Sequence, residues 1–400
     1  MSNEDYGAWF DGVERIDYPR GILPTETEIL IVGGGITGVT SAYLLAKNGK
    51  KVVLLEKKKM GGSVTCCTTG FLTQVIDTSP IKLIRLFGEE KARKIFASHF
   101  EAINDIEKII KTEKIECEFE RCMNYIYANN QREEKKFSKM AEAFKKLGVN
   151  AEYKKDNVLK FSKFGYIEIP NEAKFHAIKY LTALAERAKD HGAVIAEDTE
   201  VSGLNDQKDF VSVEIKDVGI IKAQKVFSSV YLPFGKPAQL YGRYNMYRSY
   251  VLEYELPAGI FLEGTYQDNL MPYHYFRDDK KGDHDRFLIG GADHLDAIDI
   301  NHEINYQVVK KYAEKLLADV EHKEIRHWSG MILNSVDGLP FIGERKDDNI
   351  SYAFAFSGNG MTYSYIAGKI LLDKLLVQVN PYSEIYDINR KIPWWANIFG

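Results

Sequence analysis

The sequence predicts an α/β chain, α+β in its full extent, whose two structural units interleave rather than follow one another. Three observations carry this. Strand, glycine bend, helix and strand succeed one another in "TEILIVGGGITGVTSAYLLAKNGKKVVLLEKKK". Strand signals dominate from about 225 to 295, after a stretch that reads as largely helical. The C-terminal portion then returns to strand, glycine turn and helix in "ISYAFAFSGNGMTYSYIAGKILLDKLL", and no repeat or low-complexity linker divides the chain.

The elements follow in order. An apolar strand, Ile29 to Val32, runs into Gly33, Gly35 and Gly38; a helix with Val39, Ala42, Tyr43, Leu45 and Ala46 at helical spacing ends through Gly49. A second strand, Val52 to Leu55, finishes in Glu56 and Lys57. From 81 to 148 apolar residues recur every three or four positions amid charge, so the lysine and glutamate runs there read as a solvated helical face. "AKFHAIKYLTALAERAKDHG" is a further helix, followed by strands in "AVIAEDTEVSGL" and "DFVSVEI", then "KVFSSVYLPF", "YRSYVLEYEL" and "RFLIGGADH".

With 400 residues, 45% of them hydrophobic, the chain can bury a sizeable core and divide into two domains. A net charge of -4 leaves no electrostatic footprint for nucleic acid. The N-terminus "MSNEDYGAWFDG" shows no secretory or transit pattern, and the most apolar run is broken by glycines, so a cytoplasmic protein with no integral membrane segment is expected. Four cysteines, Cys66, Cys67, Cys117 and Cys122, suit a reducing compartment.

Gly33, Gly35 and Gly38, with Ile36 and Thr37 between them, satisfy a dinucleotide fingerprint: a tight turn, close backbone approach to a diphosphate, and close packing of helix on strand. The helix N-terminus aims free N–H groups at phosphates. Glu56, at the end of the next strand, suits the two ribose hydroxyls of an adenosine and argues against a 2′-phosphate. The fingerprint alone does not separate FAD from NAD.

Taken together, "ILIVGGGITGVTSAYLLAKNGKKVVLLE", "VDGLPFIGE" and "FSGNGMTYSYIAGKILLDKLL" resemble the D-amino-acid oxidase/glycine oxidase superfamily of FAD-dependent oxidoreductases. "AKFHAIKYLTALAERAKDHGAVI", "PYHYFR", "FLIGGADH" and "NPYSEIYDINRK" look most like the subgroup that often carries a C-terminal Rieske domain, and the likeness runs over about residues 6 to 392. No Cys-x-His and Cys-x-x-His pairs follow, so a Rieske domain is not expected here.

The resemblance implies a Rossmann-like FAD-binding domain from 25–80, 165–235 and 328–380, and a substrate domain on a large, mostly antiparallel sheet from 81–164 and 236–327. Segments 1–24 and 381–400 would be terminal extensions, and the aromatic "IPWWANIFG" could dock on a partner, a membrane surface or the core. It also implies that Val201 contacts the adenine through its backbone and that Gly62 to Gly70 line the cofactor, with Ser63, Thr65, Thr68 and Thr69 giving hydrogen bonds. Gly358, Asn359, Gly360, Met361 and Thr362 would form a second helix N-terminus that stabilises charge on a reduced flavin, or a structural turn.

Cys66 and Cys67 fall inside the cofactor stretch. Consecutive Cα atoms about 3.8 Å apart are poorly placed for a disulfide, and ligand spacing for a metal is absent. Three readings remain: compact side chains against a non-covalent flavin, a covalent cysteinyl flavin at Cys67 where relatives such as dimethylglycine dehydrogenase place a histidine, or a redox thiol. The position of the covalent cysteine in sarcosine-oxidase-like relatives matches Gly330 here.

On the substrate side, the arginine by which relatives anchor a substrate carboxylate falls at Ile332. Arg248 and Arg277 are other carboxylate anchors to consider. "MPYHYFR" alternates, with His274 and Phe276 on one face and Tyr273, Tyr275 and Arg277 on the other. His274 is a candidate acid/base, Arg248 and Tyr250 candidate pocket residues, and Asp337 with Gly338 either supports the flavin edge or makes a turn. The resemblance thus implies oxidation of a small amine or amino-acid-like substrate, with oxygen or a protein as electron acceptor. The alternatives are an FAD-dependent 2-hydroxy acid or alcohol dehydrogenase, and an electron-transfer partner of a separate iron–sulfur protein.

Overall fold

The computed structural model describes residues 8–233, 240, 242–270, 273–296, 302–345, 348–393 and 396. Residues 271 and 272 of "MPYHYFR", Phe234 of "KVFSSVYLPF" and most of "IPWWANIFG" lie outside the described residues.

Two sheets organise the chain, giving the mixed α/β fold with a Rossmann-like unit that the sequence predicts. The first has eight strands, with the path Phe341–Glu344, Ile350–Phe354, Gly219–Ser228, Glu26–Val32, Val52–Leu55 and Val194–Ala196. Its centre is parallel: Ile29 to Val32 pair with Val52 to Leu55 on one side and with Lys225 to Ser228 on the other. These strands are buried on both faces and so read as near-continuous apolar runs. The helix Ile36–Lys47 is buried all round except at Lys47, because it lies between this sheet and the helices Ala177–Asp190 and Gly360–Leu375. Each large apolar side chain it buries contributes about 1.5–3 kcal/mol.

The second sheet has nine strands, with the path Lys323–Ser335, Tyr244–Pro257, His284–Leu295, His274–Lys280, Gly264–Gln267, Glu120–Tyr127, Tyr166–Lys174 and Phe71–Leu72. Its pairings are antiparallel apart from Gly264–Gln267 on Glu120–Tyr127. The helical reading of 81 to 148 misses Glu120–Tyr127, which lies between the helices Glu89–Glu113 and Gln131–Lys146. Tyr166–Lys174 and most of Lys323–Ser335, placed by sequence with the cofactor domain, hydrogen-bond into this second sheet. Trp9, in the segment expected to be an extension, is fully buried with Arg277 and Arg286 beside its ring.

The faces of the second sheet differ. Tyr250, Phe276, Phe287 and Ile289 share a cluster with Val309 and Ala313 of the helix His302–Leu316, so that helix covers one face. On the other, Val251, Leu288 and Trp328 pack on Cys66 and Trp9, facing the first sheet's glycine loops.

Candidate active site

The first cradle is built where Glu26–Val32 ends. Gly33 takes a φ of 108°, a value that favours glycine. A Cβ on Gly38 would overlap the carbonyl oxygen of Gly33, and one on Gly34 would overlap the Met60 sulfur, so helix and strand meet at backbone distance. Gly35 is the N-cap of the helix and has no side-chain hydrogen bond. Glu56 accepts from the Gly34 amide through Oε2 (2.7 Å) and from the Lys58 amide through Oε1 (2.9 Å), which fixes its carboxylate beside the bend. Lys57 is exposed next to it. Two predicted contacts are used within the protein. Thr65 Oγ1 accepts from the Ile36 amide (3.1 Å), and the Thr37 hydroxyl joins Ser364 (2.8 Å), so only the Thr37 backbone is left for a phosphate. Val201 follows closely on Thr199, whose amide donates to the Glu56 carbonyl, which brings its backbone to the same sheet end.

The loop from Gly62 to Gly70 crosses to the second sheet. Cys66 is buried and donates to the Ser63 carbonyl (2.9 Å); the Cys66 and Cys67 sulfurs lie 3.9 Å apart and form no disulfide. The Cys67 carbonyl accepts from Trp328 Nε1 (3.0 Å), and a Cβ on Gly330 would stand 2.9 Å from Cys67 Cβ. The two positions considered for covalent attachment are therefore neighbours. Thr68 accepts from Trp9 Nε1 through its carbonyl (2.6 Å) and from the Gly70 amide through Oγ1 (3.1 Å). Among the described residues no group of three His, Cys, Asp or Glu side chains could hold a metal ion.

Arg277 corrects its expected role. Its Nη1 donates to the carbonyls of Thr69 (2.9 Å), Gly70 (3.0 Å) and Phe175 (3.2 Å), and its remaining nitrogens bind Asp279. The side chain is 1% exposed, so it holds the loop and reaches no substrate. Arg277 and Arg286 hold the buried Asp279 carboxyl well below the usual carboxylate range, against the effect of burial.

The other three catalytic candidates also lie off the glycine-loop face. His274 is stacked on Tyr312 at 3.7 Å and bonded to Asp268 through Nδ1 (2.9 Å). Tyr250 bonds His294 (2.8 Å) and His302 (2.6 Å). Arg248 is spent on Asp296 (2.7 Å) and Ser329 (3.1 Å). Strand alternation locates these side chains together but does not say which face the long helix covers. Asp337 also moves out of the cofactor set: it is fully buried and paired twice with Arg390 (2.8 Å), and it accepts from Leu339 N–H in its own turn. Gly338, at φ 79°, packs directly on Thr78.

The glycine-loop face instead presents residues that the sequence reading missed as a group. Tyr275 lies across Gly290, edge-on to Phe71 at 6.1 Å, with its hydroxyl 3.0 Å from Ser249. Tyr273 lies beside it at 5.7 Å. Asp293 Oδ1 is buried with no hydrogen-bond partner among the described residues, and Asp77 accepts from the Gly358 amide (2.8 Å). Asp77 is exposed and Tyr273, Tyr275 and Asp293 are half-buried, and desolvation raises the pKa of all four. At the turn before the helix Gly360–Leu375, Asn359 accepts from Asp77 N–H (3.3 Å) and donates to the Val75 carbonyl (3.1 Å), and Thr362 turns back on the Asn359 carbonyl (3.2 Å). Asn359 makes no side-chain cap, so the amides of Gly360, Met361 and Thr362 are left as the orphan donors of a helix start.

A glycine bend that brings strand and helix to backbone distance, with a carboxylate fixed beside it at the next strand's end, has the form of a dinucleotide-binding cradle. Residues 28–374 match the family described as DAO, FAD dependent oxidoreductase, and the chain belongs to that family. It is an FAD-dependent enzyme. It is 30% identical over 390 residues to a Bacillus subtilis (strain 168) protein named as a Rieske 2Fe-2S iron-sulfur protein, YhfW, covering 96% of this chain and 75% of that one. It is 22% identical to gamma-glutamylputrescine oxidoreductase of Escherichia coli (strain K12), covering 87% and 83%. Among solved structures, glycine oxidase from Geobacillus kaustophilus superposes with a TM-score of 0.74 at 19% identity, covering 92% of this chain and all of that one.

The residues present fit FAD. The Gly33–Gly38 bend offers backbone amides to the diphosphate, and Glu56 has lone pairs left for the ribose beside two backbone donors. Among the described residues no helix is long and apolar enough to cross a membrane.

Proposed function

We propose that the enzyme oxidises the C–N bond of a small amine or amino-acid-like substrate and passes the electrons to oxygen or a protein acceptor. The observation that carries this reading is the glycine bend at Gly33 to Gly38 with Glu56 fixed beside it, in a chain of the FAD dependent oxidoreductase family. The relatives named for a glutamylated putrescine and for glycine support it. Bound FAD supplies the hydride acceptor. The protein contributes enclosure by the two tyrosines and Phe71, and a rigid floor through the Arg277 clamp. The helix start at Gly360 offers N–H donors, which favour developing negative charge nearby. Hydride leaves the carbon next to nitrogen once the amine is neutral, so the substrate sheds a proton before oxidation.

Anaerobic mixing with amines, amino acids and 2-hydroxy acids tests this reading through the flavin band. Bleaching by amines or amino acids, with the matching carbonyl compound and ammonia or amine after hydrolysis, is expected. Bleaching by 2-hydroxy acids alone would replace the substrate class.

A further inference from the structure

The N-terminal segment grips the loop from Met60 to Gly70 at both of its ends. Trp9 is fully buried and Tyr18 nearly so, while residues 11, 12 and 14–17 between them are exposed, so two buried aromatic anchors hold down a surface stretch. At one end, Trp9 stands edge-on to His176 at 4.9 Å, with Arg286 4.8 Å from its ring centre, and its Nε1 donates to the Thr68 carbonyl (2.6 Å). At the other, the Glu197 carboxylate accepts from the Tyr18 amide (3.3 Å) and the Met60 amide (2.7 Å), and Lys59 pairs with both Asp17 (3.0 Å) and Glu197 (3.1 Å). The loop in turn touches the glycine bend. Gly61 N–H donates to the Gly34 carbonyl (2.9 Å), Thr65 accepts from the Ile36 amide (3.1 Å), and the Met60 sulfur lies where a Cβ on Gly34 would stand.

Four successive carbonyls of this loop are each taken by a buried donor. Trp328 holds Cys67 (3.0 Å), Trp9 holds Thr68, and Arg277 holds Thr69 (2.9 Å) and Gly70 (3.0 Å). Trp328 and Arg277 belong to strands of the second sheet, whereas the donor to Thr68 comes from the N-terminal segment. In a planar trans peptide the carbonyl and the following N–H point opposite ways, so fixing the Thr68 carbonyl also fixes the direction of the Thr69 amide. Resting on the assignment of the diphosphate to the glycine bend, we propose that residues 9–18 are a strap that completes the FAD site, with Trp9 as the positioning residue for the Thr68–Thr69 peptide group. The loop's contacts with Gly34 and Ile36 carry the effect to the bend. Docking of the strap and binding of FAD therefore favour each other, and by linkage each strengthens the other by the same factor.

Trp9→Phe in the full chain keeps a ring against His176 and removes the N–H, leaving the Thr68 carbonyl without its donor. FAD titrated into the Trp9→Phe apoprotein is expected to bind about tenfold more weakly than to the wild type. The bound flavin is expected to show an altered visible circular dichroism spectrum, because the loop that borders it is released. In the wild-type chain, amide hydrogen exchange across residues 10–18 is expected to slow when FAD is added. A folded Trp9→Phe protein whose FAD affinity and flavin spectrum match the wild type overturns the proposal, even if its melting temperature is lower, and leaves Trp9 a core residue alone. Exchange across residues 10–18 that is the same with and without FAD overturns it as well. Should Trp9→Phe fail to fold, that exchange measurement on the wild-type chain decides.

Discussion

Replacing Gly38 with valine is expected to yield protein that folds but emerges colourless. Even the first added carbon would overlap the Gly33 carbonyl oxygen and lie 2.8 Å from Ser229 Oγ, both of which belong to the strand-end framework. The helix Ile36–Lys47 would have to lift away, and it is gripped on its other sides by two further helices. Overpacking of this kind costs about 1–3 kcal/mol, and the displacement also carries the amides of the bend away from the diphosphate. FAD affinity is expected to fall by on the order of 100-fold or more, measured by titrating FAD into apoprotein, with circular dichroism confirming the fold. A yellow Gly38→Val enzyme of normal affinity would mean that the diphosphate lies elsewhere.

Arg277→Met is expected to act on stability and cofactor retention rather than on the chemical step. The substitution leaves Asp279 buried with less charge compensation and releases the carbonyls of Thr69, Gly70 and Phe175 together. Removing one partner from such a buried network costs about 3–5 kcal/mol, a fall in melting temperature of about 4–6 °C for a chain of this size. Loosening of the Thr69–Gly70 loop should raise the dissociation constant for FAD as well. A variant with normal melting and normal FAD content but a collapsed turnover number would restore Arg277 to the substrate.

The legible part of this site is the part written in local sequence. The bend at Gly33 to Gly38 and the acid at Glu56 belong to one strand–helix–strand unit, and its spacing alone specifies the cradle. The face opposite the cradle is assembled from residues far apart in sequence: Phe71, Tyr273 and Tyr275 meet only because the second sheet brings them together. Alternation in "MPYHYFR" separates Tyr273, Tyr275 and Arg277 from His274, yet which face is covered depends on where the helix His302–Leu316 lands. That is a tertiary fact. Arg277 and Asp337 mislead for a related reason: a charged residue near a site looks chemical until its partners, Asp279 and Arg390, are seen to satisfy it. Tyr166–Lys174 shows the same limit in the fold, since a strand's own residues do not name the sheet it joins.

The most direct measurement of the central claim is the flavin content of the purified protein, read from its visible spectrum and from the supernatant after acid precipitation. The account predicts yellow protein that releases one equivalent of FAD per chain, with the cysteines beside the loop left unmodified. Correctly folded protein that is colourless and takes up no added FAD would contradict it.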